Sequence, residues 1–171
     1  MLRVGTVGTS SIMRTIQEAI RLTDGMECRV VYSRTEEQGR AFAAEMGVPE
    51  HCTDYAAMLE RSDLDLIDIA SPNRFHVEQA LAALEHGKHV IVEKPAAVTR
   101  GDVQRLIDAA RANGVYFFEA ITTLFMPQYE ACRLLLPKLG RIEQAHITYA
   151  QYSSRYDAYL RGENPNIFNP A

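Results

Sequence analysis

The chain has 171 residues, 47% of them apolar and 23% charged, with a formal net charge of −4. This composition excludes a disordered tail, a collagen-like rod and a membrane bundle, and a mildly acidic chain has no strong attraction to nucleic acid or to an anionic membrane. The three cysteines, Cys28, Cys52 and Cys132, are scattered, so neither a disulfide framework nor a metal site is indicated. We expect a cytoplasmic protein.

Short β-type runs alternate with segments of helical periodicity over residues 1–120. Gly or Pro residues separate most of these segments. The predicted strands are Leu2–Val7, Cys28–Tyr32, Leu66–Ala70, His89–Glu93 and Val115–Phe118. The predicted helices lie between them, and Thr35 and Thr99 are the expected N-caps of two of these helices. This alternation predicts an α/β fold, a Rossmann-type doubly wound parallel sheet with helices on both faces.

The pattern changes after Pro127. Tyr129–Leu136 predicts a helix, Ile142–Tyr152 predicts one long strand of a different sheet, and Ser153–Ala171 predicts a loop. A single strand has no neighbour with which to pair, and its open edge invites association. We therefore expect residues 121–171 to be the beginning of a second domain that this chain does not finish.

The segment Gly8-Thr9-Ser10-Ser11-Ile12-Met13 joins the first strand to the first helix. A glycine permits a tight turn there, and a helix N-terminus offers free amides and a positive dipole end to phosphate. The GxGxxG fingerprint is incomplete, because Ser10 and Met13 occupy its second and third glycine positions. Position and pattern favour a pyrophosphate site at Gly8 to Ile12. The alternative is a simple turn in which Ser10 or Ser11 caps the helix.

Ser33-Arg34 follows the second strand. Enzymes that bind NAD usually carry an acid at this point to hold the ribose 2′-hydroxyl, whereas an arginine suits a 2′-phosphate. The sequence therefore favours NADP over NAD. The alternative is a solvated arginine neutralised by the nearby Glu36 and Glu37.

Polar motifs also follow the third and fourth long strands. Ser71-Pro72-Asn73 follows one, and Glu93-Lys94-Pro95 ends the other. The carboxyl ends of parallel strands face the ligand crevice, so both motifs are candidates for cofactor binding. Lys94 could donate hydrogen bonds to a reacting hydroxyl or act as an acid or base. Asn73 and His76 could equally serve only to turn the chain and start the next helix, and Lys94 could be an ordinary surface lysine.

These motifs resemble the signatures of one known family. Glu93-Lys94-Pro95, preceded by the segment from Ala82 to Val90, resembles the A-x-x-G-K-H-V-x-x-E-K-P signature of the Gfo/Idh/MocA oxidoreductases. Ser71-Pro72-Asn73 with His76 resembles the P-N-x-x-H element of the same family. The E-K-P element in this order is specific, whereas the glycine loop is not.

The resemblance implies an NAD(P)-dependent dehydrogenase acting on a sugar, polyol or related hydroxyl compound. It implies an N-terminal Rossmann domain over 1–120 and a C-terminal α/β domain with an open sheet used for homo-oligomerisation. Lys94 matches the lysine taken to contact the reacting hydroxyl, and Glu93 matches a cofactor-contacting position. The family continues past Pro170 into a helix that supplies further catalytic residues, so we expect a truncated and catalytically incomplete chain.

The sequence leaves two other functions open. One is a non-catalytic dinucleotide-binding or regulatory protein that retains the Rossmann half. The other is a Rossmann-like methyltransferase, to which Arg34 and the Lys94-Pro95 element give no support.

Overall fold

A six-stranded parallel sheet forms the centre of residues 1–120 in the computed structural model, which describes residues 1–153 and 156–163. The spatial order of the strands is β3-β2-β1-β4-β5-β6, and every neighbouring pair is parallel. The strands are β1 Leu2–Val7, β2 Met26–Tyr32, β3 Glu50–Cys52, β4 Leu66–Ile69, β5 His89–Val92 and β6 Phe117–Glu119. The predicted doubly wound α/β fold is confirmed.

Five helices cover the two faces of this sheet. They are α1 Ser11–Leu22, α2 Glu36–Met46, α3 Tyr55–Leu59, α4 His76–Glu85 and α5 Arg100–Ala112. The helices α1 and α2 pack on one face, and α3, α4 and α5 pack on the other. Within the described ranges, none of the helices is both long enough and apolar enough to cross a membrane.

Successive side chains of β4 point to opposite faces of the sheet, so this strand contributes to the core on both faces. Ile67 and Ile69 are fully buried among α3, α4 and α5, whereas Leu66 packs with residues of α1 on the opposite face. A strand buried on both faces is a nearly continuous apolar run, as expected for a parallel sheet. Asp68 is the exception in this strand.

Capping residues mark the ends of α2 and α5 where the sequence predicts. The Thr35 hydroxyl accepts a hydrogen bond from the Gln38 amide at 3.4 Å, and the Thr99 hydroxyl accepts one from the Asp102 amide at 3.1 Å. Each bond satisfies an amide that has no partner within its helix. Gly47 ends α2 with a φ of +70°, the left-handed conformation that glycine adopts without strain.

Residues 121–153 and 156–163 form the described part of a second compact unit. Its helices are α6 Pro127–Leu135 and α7 Tyr156–Leu160. The predicted strand over Ile142–Tyr152 is wrong, since this segment belongs to no helix or strand and its side chains are exposed. A strand is held by pairing, and the described chain offers this segment no partner strand. The predicted loop over Ser153–Ala171 is wrong at α7, and its residues 154–155 and 164–171 lie outside the described residues.

The turn between β1 and α1 packs directly against the end of β4. Gly8 has a φ of +114°, and a Cβ atom there would lie 2.8 Å from the carbonyl oxygen of Ala70. Its amide donates to the carbonyl of Tyr32 at 3.0 Å, while the Ala70 amide donates to Val7 at 2.9 Å. The backbone conformation and the lack of space both require glycine at position 8.

Polar side chains lie buried between α1 and the sheet. The Gln17 amide donates to the Thr6 hydroxyl at 2.9 Å and to the Cys28 sulfur at 3.2 Å. Asp68 is 6% exposed, and its Oδ1 has no hydrogen-bond partner in the described structure. Burial, followed by the nearby charge of Glu93, raises the pKa of Asp68 to about 7.

Replacing Gly8 by alanine should destabilise the fold through strain and a clash together. Gly87 is the matched control, because its φ is +70° and a Cβ atom there would meet nothing within 4 Å. We expect Gly87→Ala to lower the free energy of unfolding by about 1 kcal/mol from strain alone, and Gly8→Ala by roughly 3 kcal/mol because overpacking adds to the strain. Urea unfolding measures both, and equal losses would contradict the account of this turn.

The stability of the fold should depend on the protonation of Asp68. Folding raises the pKa of this carboxyl, so protonation of Asp68 stabilises the folded state. This stabilisation is complete at pH values below the ordinary carboxyl pKa. That contribution declines as the pH rises and is gone above about 7. Relative to the parent, Asp68→Asn should therefore gain up to about 1.4 kcal/mol of unfolding free energy per pH unit through this window, measured by urea unfolding.

The same substitution at Asp108, which is exposed on α5, serves as the control. The difference in unfolding free energy between Asp108→Asn and the parent should stay constant from pH 4.5 to 8. A difference for Asp68→Asn that is equally constant would show that this carboxyl does not hold a proton in the folded state.

Candidate functional site

A cavity of about 240 Å³ opens at the carboxyl ends of β1, β2 and β4. The order of the strands reverses between β1 and β4, which is where open α/β sheets bind ligands. Seven of the sequence-predicted site residues line it, namely Gly8, Thr9, Ser10, Ser33, Arg34, Ser71 and Pro72. Three segments that lie far apart in sequence therefore meet at one concave site.

The N-terminus of α1 faces this cavity through the turn at Gly8. Ser10 is the N-cap residue, but its side chain forms no capping hydrogen bond. The Ser10 hydroxyl therefore accepts no hydrogen bond from the first backbone amides of α1. These amides form the positive end of the helix dipole. Of the two alternatives for this segment, a turn capped by the Ser10 side chain is not what the structure contains.

The end of β2 contributes one buried and one exposed polar residue. Ser33 is buried, and Arg34 is exposed. The carboxylate of Glu36 lies 2.8 Å from the His51 ring and accepts a hydrogen bond from Arg40 at 3.1 Å, and these two contacts, the His51 contact first, lower the pKa of Glu36. Among the residues that the structure describes, Arg34 forms no ion pair. Glu36 is therefore engaged elsewhere, and the Arg34 guanidinium remains available to an anion.

The Gln79 side chain of α4 holds the loop after β4, and Tyr55 of α3 in turn holds Gln79. The Ser71 hydroxyl donates to Oε1 of Gln79 at 2.6 Å, and the Tyr55 hydroxyl donates to the carbonyl of Gln79 at 2.8 Å. The ring of Tyr55 packs against Tyr32, with centroids 5.3 Å apart. Burial raises the pKa of Tyr55, so its hydroxyl remains a donor. This network fixes the wall of the cavity formed by Ser71 and Gln79.

The loop that carries Lys94 is fixed from both sides. The buried ring of His76 lies 2.8 Å from the carbonyl oxygen of Ser71 and 2.9 Å from that of Pro95. The Glu119 carboxylate accepts from the Ala96 amide at 2.9 Å. His76 is thus a cross-link between two crevice loops rather than a helix-starting residue only.

Five predicted site residues do not line the cavity. They are Ser11, Ile12, Asn73, Glu93 and Lys94. Ser11 and Ile12 begin α1 and are exposed, and Asn73 begins the short turn that leads into α4. Lys94 is exposed after β5, the strand beyond β4. The structure therefore brings Lys94 to the same edge of the sheet but not into the cavity.

Sequence reasoning did not identify six other residues that line the cavity, namely Val7, Tyr32, Gln38, Ala70, Phe75 and Gln79. Gln79 lies one helical turn after His76, so the helical period places both on one side of α4. That spacing is the only signal the sequence carries for Gln79, and it becomes informative once α4 is known to border the crevice.

Residues 2–121 match the family model described as "Oxidoreductase family, NAD-binding Rossmann fold". The chain is 42% identical over 171 residues to the uncharacterized oxidoreductase YgjR of Escherichia coli, covering all of this chain and 52% of the relative. It is 37% identical over 170 residues to scyllo-inositol 2-dehydrogenase (NADP(+)) IolU of Bacillus subtilis, covering 99% of this chain and 52% of that protein. The chain thus spans about half the length of these relatives.

Solved structures resemble the same region. The 3-ketoreductase KijD10 of Actinomadura kijaniata, in complex with NADP and TDP-benzene, matches with a TM-score of 0.75 and 30% sequence identity. The match covers 80% of this chain and 42% of the KijD10 chain. Biliverdin reductase of Synechocystis, in complex with biliverdin and NADP+, has a TM-score of 0.72 and 30% identity over 82% of this chain and 44% of its own. Together with the parallel sheet and the family match over residues 2–121, these likenesses show that the chain belongs to the Gfo/Idh/MocA family of oxidoreductases.

Proposed function

We propose that the residues at the cavity bind NADP(H), and that the chain is the cofactor-binding half of an oxidoreductase that acts on a sugar, polyol or related small molecule. The observation that carries the proposal is the meeting of the Gly8 turn with Ser33 and Arg34 in one cavity. The whole protein's activity is proposed from its relatives, and cofactor binding is proposed for the chain itself.

The residues present fit a dinucleotide with a 2′-phosphate. The absence of a side chain at Gly8 lets the turn lie against Ala70, so the amides of Thr9 to Ile12 can approach a pyrophosphate. Arg34 offers a planar set of donors to the 2′-phosphate, and Ser33 offers a hydroxyl. Ser71 and Pro72 line the other side, and Asn73 is proposed to contact the cofactor from the turn that follows them. When bound, the nicotinamide supplies hydride donor or acceptor chemistry.

Lys94 is proposed as the catalytic residue. It follows β5 at the carboxyl edge of the sheet, and its loop is held by His76 and Glu119. From there its ammonium group could donate a hydrogen bond to the oxygen of the reacting hydroxyl or carbonyl, stabilising charge on that oxygen. Glu93 is proposed to contact the cofactor from the same loop.

The names of the relatives support this choice of cofactor and substrate class. IolU is named as an NADP(+)-dependent inositol dehydrogenase, and KijD10 is a 3-ketoreductase with NADP bound. Other relatives are named as a 1,5-anhydro-D-fructose reductase and a D-xylose 1-dehydrogenase (NADP(+)). Each of these proteins is named as a dehydrogenase or reductase, and three of the names contain a sugar or an inositol.

We propose a cytoplasmic location and a homo-oligomer for the whole protein. The three cysteines are free thiols, which is typical of reducing compartments. The homo-oligomer is proposed from the family resemblance, which implies an open sheet in the C-terminal domain.

Titration of the chain with NADPH and with NADH, monitored by fluorescence, tests the cofactor preference. We expect the parent chain to bind NADPH more tightly. Arg34→Ala should weaken NADPH binding by about 1.5–3 kcal/mol, roughly tenfold to a hundredfold in Kd, because a hydrogen-bonded charge pair is lost. Its affinity for NADH should change little.

Arg111→Ala is the matched control, since Arg111 is exposed in the last turn of α5, which packs on the opposite face of the sheet from α2. It should leave both affinities within about twofold of the parent. Equal affinity of the parent chain for the two cofactors would remove the NADP assignment, and binding of neither would remove the proposed function.

A further inference from the structure

One wall of the cavity carries a side-chain amide that is held in place but only partly satisfied. Oε1 of Gln79 accepts from the Ser71 hydroxyl at 2.6 Å. Its Nε2 has no hydrogen-bond partner among the described residues, and the side chain lines the cavity. Nε2 has two hydrogens to donate, and an amide oxygen has a second lone pair. Both a donor and an acceptor are therefore available at this wall.

The packing of α4 and the hydrogen bonds around Gln79 fix the position of this amide. The helix α4 packs into the core through residues that are fully buried, such as Ala80 and Leu84. The carbonyl of Gln79 itself accepts from the half-buried Tyr55. A polar group that is already oriented loses little conformational freedom when it binds a ligand.

The remaining cavity walls limit what Gln79 can meet. In a dinucleotide with its pyrophosphate at the Gly8 turn and its ribose phosphate at Ser33 and Arg34, the adenine attached to that ribose would occupy the rest of this cavity, and the nicotinamide half would extend toward the loop that carries Lys94. Apart from the residues assigned to the phosphates and the ribose, the lining consists of Val7, Ala70, Ser71, Pro72, Phe75 and Gln79, with Tyr32 from the end of β2 and Gln38 from α2. Flat apolar side chains suit the faces of a purine ring, and a side-chain amide suits its edge.

We propose that Gln79 is a specificity-determining residue that reads the edge of the adenine base. A glutamine amide can accept a hydrogen bond from the exocyclic amine of adenine while donating to a neighbouring ring nitrogen. Ser71 is a positioning residue that orients this amide through its bond to Oε1. This inference rests on the proposed NADP(H) binding and adds to it a means of selecting the base.

The 6-deamino analogue of NADPH, which carries hypoxanthine in place of adenine, tests this directly. Its 6-oxygen is an acceptor, so the amine that Oε1 would accept from is absent. We expect the parent to bind NADPH about tenfold more tightly than the analogue, within the range for a bidentate amide–base pair. In Gln79→Leu, which keeps the approximate volume, the two affinities should become equal within about twofold. Isothermal titration measures all of these values.

Two further variants distinguish positioning from simple loss of structure. Glu78→Gln changes the neighbouring exposed residue of α4 and should keep the parent's discrimination. Ser71→Ala should reduce the discrimination without abolishing NADPH binding, because Oε1 loses the bond that orients it. Equal binding of both dinucleotides by the parent would overturn the role of Gln79 alone. Failure of the parent to bind NADPH would overturn the proposed function and this inference together.

Discussion

The central place of β1 in the parallel sheet is the constraint on which the site depends. Because β1 pairs with β2 on one side and β4 on the other, the carboxyl ends of these three strands meet at one edge. The chain must leave that edge in opposite directions on the two sides of β1, and a crevice opens between the departing segments. Close packing of the turn at Gly8 against Ala70 keeps the crevice at the end of the strands.

A second constraint acts between the loops that border this edge. The two ring nitrogens of His76 lie 2.8 and 2.9 Å from carbonyl oxygens in the loops after β4 and β5, and the Glu119 carboxylate at the end of β6 accepts a hydrogen bond from the second of these loops. Side chains from the scaffold thus hold loops that carry Ser71 and Lys94. Positions of polar groups at a binding site are most precise when rigid elements fix them in this way.

Local signals in the sequence predict most of the first unit correctly, and non-local contacts explain what they miss. Caps such as Thr35 and Thr99 act within one helical turn, so the sequence alone reveals them. The strand β3 has three residues, too few for a period to be visible. The alternation over Ile142–Tyr152 is a real pattern, but a strand forms only when another strand pairs with it. The cavity residue Gln79 could not be identified, because its role depends on where α4 packs.

Hydrogen exchange with and without NADPH is the most direct test of the account, because it reports on all parts of the crevice in one measurement. Our account predicts that NADPH slows exchange together in three segments separated in sequence, 8–13, 32–35 and 71–79, where binding suppresses local opening. Amides at the opposite edge of the sheet, such as those of Met26 and Leu66, should exchange at unchanged rates. Protection confined to one of the three segments, or found mainly outside them, would contradict the assignment of this crevice as the cofactor site.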